Sequence, residues 1–197
     1  MRKRNHFNAW LILFVCSVFI ILRLPSLFEP HWYADEGIYQ VVGRAINDGR
    51  ILYQGIWDNK PPVLYLIYAI FNGNLFFIKL YSLLVGVTSV IVFYFLSIKL
   101  FKKNWSIYIS IGVYTILFAS PIIEGNIANA ENFMILPIVT SAFLIFKYLD
   151  GNKIKNLIAS GFFLSIAFAT KTVAVFDFFA FFFIFIFNTK GRQKTIY

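Results

Sequence analysis

A single cysteine, Cys16, leaves this chain without an intrachain disulfide, and its place inside an apolar run reads as a small buried side chain. Two histidines, His6 and His31, have no partners at metal-ligand spacing, so both read as ordinary interfacial residues. Charge is scarce as well. Only 14% of residues are charged against 59% hydrophobic, and the mean hydropathy is +0.73, which excludes a soluble domain and implies a polytopic membrane protein. Acidic residues number 9 against 18 basic ones, for a net charge of +9. The basic residues fall in short clusters between apolar runs, as membrane topology requires, and no single patch forms that would suit nucleic acid.

The apolar runs set out an all-α fold with about six transmembrane helices plus interfacial helices in the first outer loop. Residues 9–28 follow a basic start and are long enough to cross roughly 30 Å of hydrocarbon at about 1.5 Å per residue. No small-x-small cleavage site follows, so this run reads as a retained anchor with Met1 inside, and Arg23 near its outer end is placed to snorkel. Residues 75–98, 106–122 and 133–149 supply the second, third and fourth spans. Residues 157–187 are too long for one crossing, and a single crossing would leave Lys190, Arg192 and Lys194 outside. Two short spans broken at Thr170-Lys171-Thr172 resolve this and return Lys171 to the outer face. Asp177 then falls inside the last span, where pairing with a neighbouring helix is the favoured reading.

The chain thus divides into a first span (1–28), an outer loop (29–74), five further spans (75–188) and a cytoplasmic tail (189–197). In the outer loop, Ile38, Val41, Val42, Ala45 and Ile46 repeat at the spacing of one helical face, which predicts a helix lying on the membrane. Asp35 and Glu36 open that helix, where carboxylates commonly cap free N–H groups, and Gly49 closes it. Pro61 and Pro62 start a second helix, over residues 63–71, too short to span. Asn72-Gly73-Asn74 breaks the chain before the next span.

On this map Glu29, Asp35, Glu36, Asp48, Asp58, Glu124 and Glu131 gather outside, while most lysines and arginines face inward. Arg44, Arg50, Lys60, Lys79 and Lys171 are cations on the outer side, against the usual bias, and such residues are candidates for holding a ligand; for Lys79, snorkelling is the alternative. An outward acidic pair followed by a lysine fixed before two prolines suits group transfer from a lipid-linked donor. A base must take the proton of an acceptor hydroxyl, and a cation must hold the charge growing on a departing phosphate. Asp35 is the candidate base and Lys60 the candidate phosphate partner, with Lys171 as a second positive charge.

The segment ADEGIYQVVGRAINDGRILYQGIWDNKPPVLYLIYA, with Asn129-Ala130-Glu131-Asn132-Phe133 and Ala169-Thr170-Lys171, resembles the GT-C type membrane glycosyltransferases. The branch it resembles includes the aminoarabinose-lipid A transferases and the protein O-mannosyltransferases. The resemblance implies a polyprenyl-phosphate sugar donor and an extracytoplasmic acceptor (lipid, glycan or protein) at the plasma membrane. It implies Asp35 and Glu36 as the catalytic carboxylates, Lys60 and Lys171 as the donor lipid phosphate-binding residues, and Glu131 as a second outer-loop acid. Some members carry a divalent cation near the first acidic pair and others need none, so the metal stays open, with Asp35 and Glu131 as its ligands where present. Members usually continue with more spans and often an outer domain, so the chain is expected to be the N-terminal portion of such an enzyme. The competing reading is a non-catalytic polytopic protein, either a lipid-phosphate-binding subunit or a transporter segment. A transporter should place its polar residues along a mid-membrane path, whereas here only Asp177 is so placed.

Overall fold

A computed structural model describes residues 8–30 and 33–193, with side chains to residue 188. His6, His31, the basic residues before position 5, Lys194 and the side chains of Lys190 and Arg192 lie outside the described residues. Among the described residues the chain is all helix, with one isolated bridge between Leu52 and Ile56. Eight α-helices follow in order: α1 (Ala9–Arg23), α2 (Ala34–Asn47), α3 (Pro62–Ile70), α4 (Leu75–Leu100), α5 (Asn104–Ala119), α6 (Ala130–Gly151), α7 (Ile154–Thr170) and α8 (Val175–Gln193).

Among the described residues three stretches are long and apolar enough to cross a membrane: α1 with the 3₁₀ turn after it (Ala9–Phe28), α4 and α6. Three shorter apolar helices accompany them, over Asn104–Ala119, Ile154–Thr170 and Thr172–Asn188. The third predicted span is therefore shorter than residues 106–122. Ser120 leaves the helical conformation before Pro121, which starts a 3₁₀ turn, because a proline disfavours the α region in the residue ahead of it. The break at Lys171 stands where the charge pattern put it, with extended backbone between α7 and the 3₁₀ turn Thr172–Ala174.

α4 is the axis of the bundle, packed against α1 and α5 on one side and α6 on the other. α1 runs antiparallel to it: the Asn8 N–H at the start of α1 donates to Tyr94 Oη, and Arg23 at its end donates to Ser82 Oγ. α6 runs parallel to α4, since Lys99 and Asp150 pair near both C-terminal ends at 2.7 Å while Tyr81 stacks on Phe133 near both N-terminal ends. These directions agree with the alternation of crossings expected from the lysine clusters. Small residues permit the close approach that packing in lipid depends on. A Cβ on Gly86 would lie 2.4 Å from the Phe19 ring, and Ser89 hydrogen-bonds Tyr114 one turn further along.

α2 sits on α3 and not simply on a membrane surface. Its buried side carries Glu36, Tyr39, Val42 and Ala45, whereas Ile38 and Val41 are 44% and 60% exposed, so the apolar positions expected on one face are divided between two. The aromatic ring of Tyr39 decides the rotation by packing edge-on against Tyr65 and Tyr68 of α3. Asp177 lies in the first turn of α8, half-buried. Among the described residues it makes no side-chain hydrogen bond or ion pair to another helix, so the expected pairing is not found.

The α2–α3 contact passes through Gly43, where a Cβ would come within 2.8 Å of the Tyr68 backbone, while Gly37 on the same helix faces open space. Gly43→Ala should therefore lower stability by about 1–3 kcal/mol through overpacking, whereas Gly37→Ala should be neutral or stabilising by up to ~1 kcal/mol. Thermal unfolding of the two variants in detergent, followed by circular dichroism, checks the contrast.

Candidate active site

The carboxylate-rich end of the bundle is assembled from α2, the head of α3, the 124–129 loop with the start of α6, and the α7–α8 junction. Neither carboxylate of the Asp35-Glu36 pair caps α2, whose N-cap, Tyr33, makes no side-chain cap hydrogen bond. Adjacent helical residues point about 100° apart, and the two side chains have different surroundings. Asp35 is half-buried and accepts a hydrogen bond from Tyr39 Oη at 2.9 Å. Glu36 is wholly buried; its Oε1 accepts from the Ala128 N–H at 2.7 Å, and its Oε2 lies 3.9 Å from Lys79 Nζ.

Lys60 is reached from Asp35 through two tyrosines. The Tyr39 ring meets the Tyr65 ring edge-on, and Tyr65 Oη donates to Asp58 Oδ2 at 2.6 Å while accepting the Lys60 N–H at 3.0 Å. Tyr53 Oη also donates to the Lys60 carbonyl at 2.6 Å. The backbone of Lys60 is thus fixed on both sides, and its half-buried side chain has no ion-pair partner among the described residues. The two prolines after it start α3, and Val63 begins the lining of an apolar groove of about 200 Å³. Tyr81, Phe133, Pro137 and Ile166 continue that lining to Thr170, which immediately precedes Lys171.

Lys171 forms a salt bridge with Glu131. Glu131 opens α6 after Asn129, whose side chain caps the helix by accepting the Ala130 N–H at 2.6 Å. The loop before it is held tightly. Ala128 donates its N–H to Glu36 and accepts at its carbonyl from Tyr68 Oη at 2.8 Å, and Asn126 Nδ2 donates to Glu29 Oε2 at 3.0 Å. Gly125 is required where it stands, because a Cβ there would lie 2.5 Å from the Phe118 carbonyl oxygen.

Three outer-side cations are accounted for differently from the sequence expectation. Lys79 does not snorkel: it is wholly buried, faces Glu36, and donates to the Glu29 carbonyl at 3.0 Å. Arg23 is equally buried and donates to Ser82 at 3.1 Å, because the close packing of α1 on α4 leaves it no path to the surface. Arg44 lies against the Asn72-Gly73-Asn74 turn, where a Cβ on Gly73 would meet its Cγ at 2.8 Å, so its stem serves packing. Among the described residues no group of three His, Cys, Asp or Glu side chains gathers to hold a metal ion. Asp35 accepts from Tyr39 and Glu131 pairs with Lys171, and no step is assigned to a metal ion.

The phenols of this end are held protonated. Burial and then the hydrogen bond to Asp35 push Tyr39 well above the usual phenol range, with the charges of Asp35, Glu131 and Asp58 adding to the effect. Tyr65 is raised by burial and its bond to Asp58, and Tyr68 by burial and the charge of Glu36. Tyr33 is raised chiefly by the charges of Glu124 and Asp35.

Residues 59–197 match a family model described as dolichyl-phosphate-mannose-protein mannosyltransferase. The matched segment takes in Lys60, Glu131 and Lys171 and begins after Asp35 and Glu36. No curated protein and no solved structure matches the chain.

A phenol raised by folding contributes stability that is complete below the unfolded value of about 10 and is lost as pH rises through the folded value. Alkaline titration followed by tyrosinate absorbance should show exposed tyrosines ionising first and a late fraction ionising only on unfolding. Tyr39→Phe should shrink that late fraction and remove the Asp35 hydrogen bond, at a cost of about 1.5–3 kcal/mol. A Tyr39→Phe titration with the same late fraction as the parent would show that Tyr39 is freely ionisable.

Proposed function

Because the chain belongs to the dolichyl-phosphate-mannose-protein mannosyltransferase family, a group of GT-C type membrane glycosyltransferases with lipid-linked donors, we propose that it moves one sugar from polyprenyl phosphate to an extracytoplasmic hydroxyl. The observation that carries this reading is Lys60, whose ammonium has no carboxylate partner among the described residues and whose backbone is held just ahead of α3, three residues before Val63 of the apolar groove. A phosphate on a hydrocarbon tail needs that combination, with the charge met by the lysine and the first prenyl units received by apolar side chains.

In the reaction, an acceptor oxygen attacks the anomeric carbon, the bond from that carbon to the phosphate oxygen breaks, and the hydroxyl proton passes to Asp35. The products are the glycoside and free polyprenyl phosphate. Tyr39 holds one Asp35 oxygen by donation to Oδ2, which orients the other toward the acceptor. Lys60 receives the donor phosphate. Lys171, carried to the same end by the break after α7, stabilises the phosphate as the glycosidic bond lengthens. The carboxylate-rich end faces outward and Met1 inward, a direction supported by the lysines at the opposite ends of α4 and α6.

Reconstituted in liposomes with labelled polyprenyl-phosphate mannose, the first donor to try given the family, the parent protein should transfer sugar to an acceptor peptide or glycan. Asp35→Asn should cut transfer by about 10²–10⁴-fold, the range for loss of a general base, with polyprenyl-phosphate binding retained. Lys60→Ala should weaken that binding by about 10–100-fold, as loss of a charge-assisted contact does. Parental transfer by Asp35→Asn would overturn the assignment of the base, and binding of polyprenyl phosphate without transfer of any sugar would favour a lipid-binding subunit.

A further inference from the structure

Glu36 neighbours the proposed base in sequence, yet it has no exposed surface with which to meet a substrate. Both of its oxygens are directed inside the protein, one to the Ala128 N–H and the other toward Lys79. We infer that Glu36 is a positioning residue, buried beside the cations Lys79 and Arg23, and that its carboxylate sets the placement of Glu131 on α6 relative to Asp35 on α2. This inference rests on the assignment of Asp35 as the base, and it removes Glu36 from the groups that touch substrate.

The geometry supplies each link. Ala128 is gripped from opposite sides, its N–H by Glu36 of α2 and its carbonyl by Tyr68 of α3. It stands three residues ahead of Glu131, with only the N-cap Asn129 and Ala130 between, so fixing Ala128 fixes the first turn of α6. On the other side of Glu36, Lys79 belongs to α4 and also donates to the Glu29 carbonyl just beyond α1, while Arg23 ends α1 and donates to Ser82 of α4. Two buried cations, Lys79 and Arg23, stand beside the buried carboxylate of Glu36, with the half-buried Glu29 carboxylate near both. Glu29 holds the same loop from its far side through Asn126. One carboxylate therefore ties α2 directly to the 124–129 loop and to α4.

Substitutions at Glu36 and Lys79 separate positioning from chemistry. Glu36→Gln keeps an oxygen for the Ala128 N–H and should retain transfer within about tenfold of the parent, whereas Glu36→Ala should lose about 10²-fold or more through misplacement of the site. Lys79→Met strands a buried carboxylate and should lose activity too, and adding Glu36→Gln to it should restore transfer toward the Glu36→Gln level. A distance readout independent of catalysis accompanies these assays. Spin labels at the exposed positions Ile38→Cys and Ile122→Cys, in a Cys16→Ser background, should give one narrow distance in the parent and in Glu36→Gln, and a broadened or shifted one in Glu36→Ala. Loss of transfer in Glu36→Gln as severe as in Asp35→Asn, with the distance unchanged, would overturn the inference by giving Glu36 a direct chemical role. An unchanged distance in Glu36→Ala would overturn it as well. Failure of the transferase reading would show instead as a parent without transfer, and the spin-label distances would still test the placement.

Discussion

Everything at the carboxylate-rich end depends on one carboxylate being kept inside the protein. Moving a carboxylate into a low-dielectric interior is costly, and it persists there only when a cation and hydrogen-bond donors replace water. Glu36 has Lys79 at 3.9 Å and the Ala128 N–H at 2.7 Å. Leaving the Glu36 carboxylate without Lys79 would cost about 3–5 kcal/mol, whereas Lys79 without that carboxylate still donates to the Glu29 carbonyl, so the pair acts as a lock rather than as a general source of stability. What it locks is relative position: α2 cannot rotate on α3, nor the 124–129 loop shift, without stranding one of the two charges.

That lock is effective because the scaffold around it is closely packed. Ser82, Gly86 and Ser89 give α4 a narrow face on which Arg23, Phe19 and Tyr114 sit. This brings α1 close enough for Arg23 to be sealed in beside the Glu36 cluster. The opposite flank of α4 faces α6, where Tyr81 stacks on Phe133 and Pro137 lines the groove. Proline inside a helix withholds an N–H from the ladder and crowds the preceding turn, so groove and irregularity fall at the same level of α6. The face of α4 toward α1 orders the buried charges, and the face toward α6 borders the apolar groove.

The positions of the helices were legible because apolar run length, proline and the Asn72-Gly73-Asn74 turn are local signals, and the lysine clusters gave the break at Lys171. The burial of Lys79 and Arg23 was not, since a cation near a helix end has a cheap alternative in snorkelling, and its partner lies on another element. One clue was present. Consecutive residues on a helix cannot share a face, so Asp35 and Glu36 were bound to have different neighbours once α2 packed. The split of α2's apolar positions was illegible for a related reason: periodicity ranks residues by hydropathy, whereas the edge contacts of Tyr39 with two tyrosines of α3 set the actual rotation. The 59–197 match likewise leaves Asp35 outside, so its proposed role rests on the resemblance of the outer loop and on its geometry.

The arrangement of the lysines has a chemical logic in the proposed reaction. A sugar-bearing polyprenyl phosphate is a diester with one negative charge, and Lys60 alone can balance it. Cleavage converts that group into a monoester approaching two negative charges, since its second ionisation lies near pH 6. The additional charge arises only as the bond breaks, and a cation already committed to the ground state would stabilise donor and transition state alike. Lys171 is held by Glu131 rather than left free, so its attraction for phosphate is weak until the second charge develops and competes with the carboxylate. Pairing Lys171 while leaving Lys60 without a carboxylate assigns one ammonium to binding and reserves the other for the step in which charge accumulates.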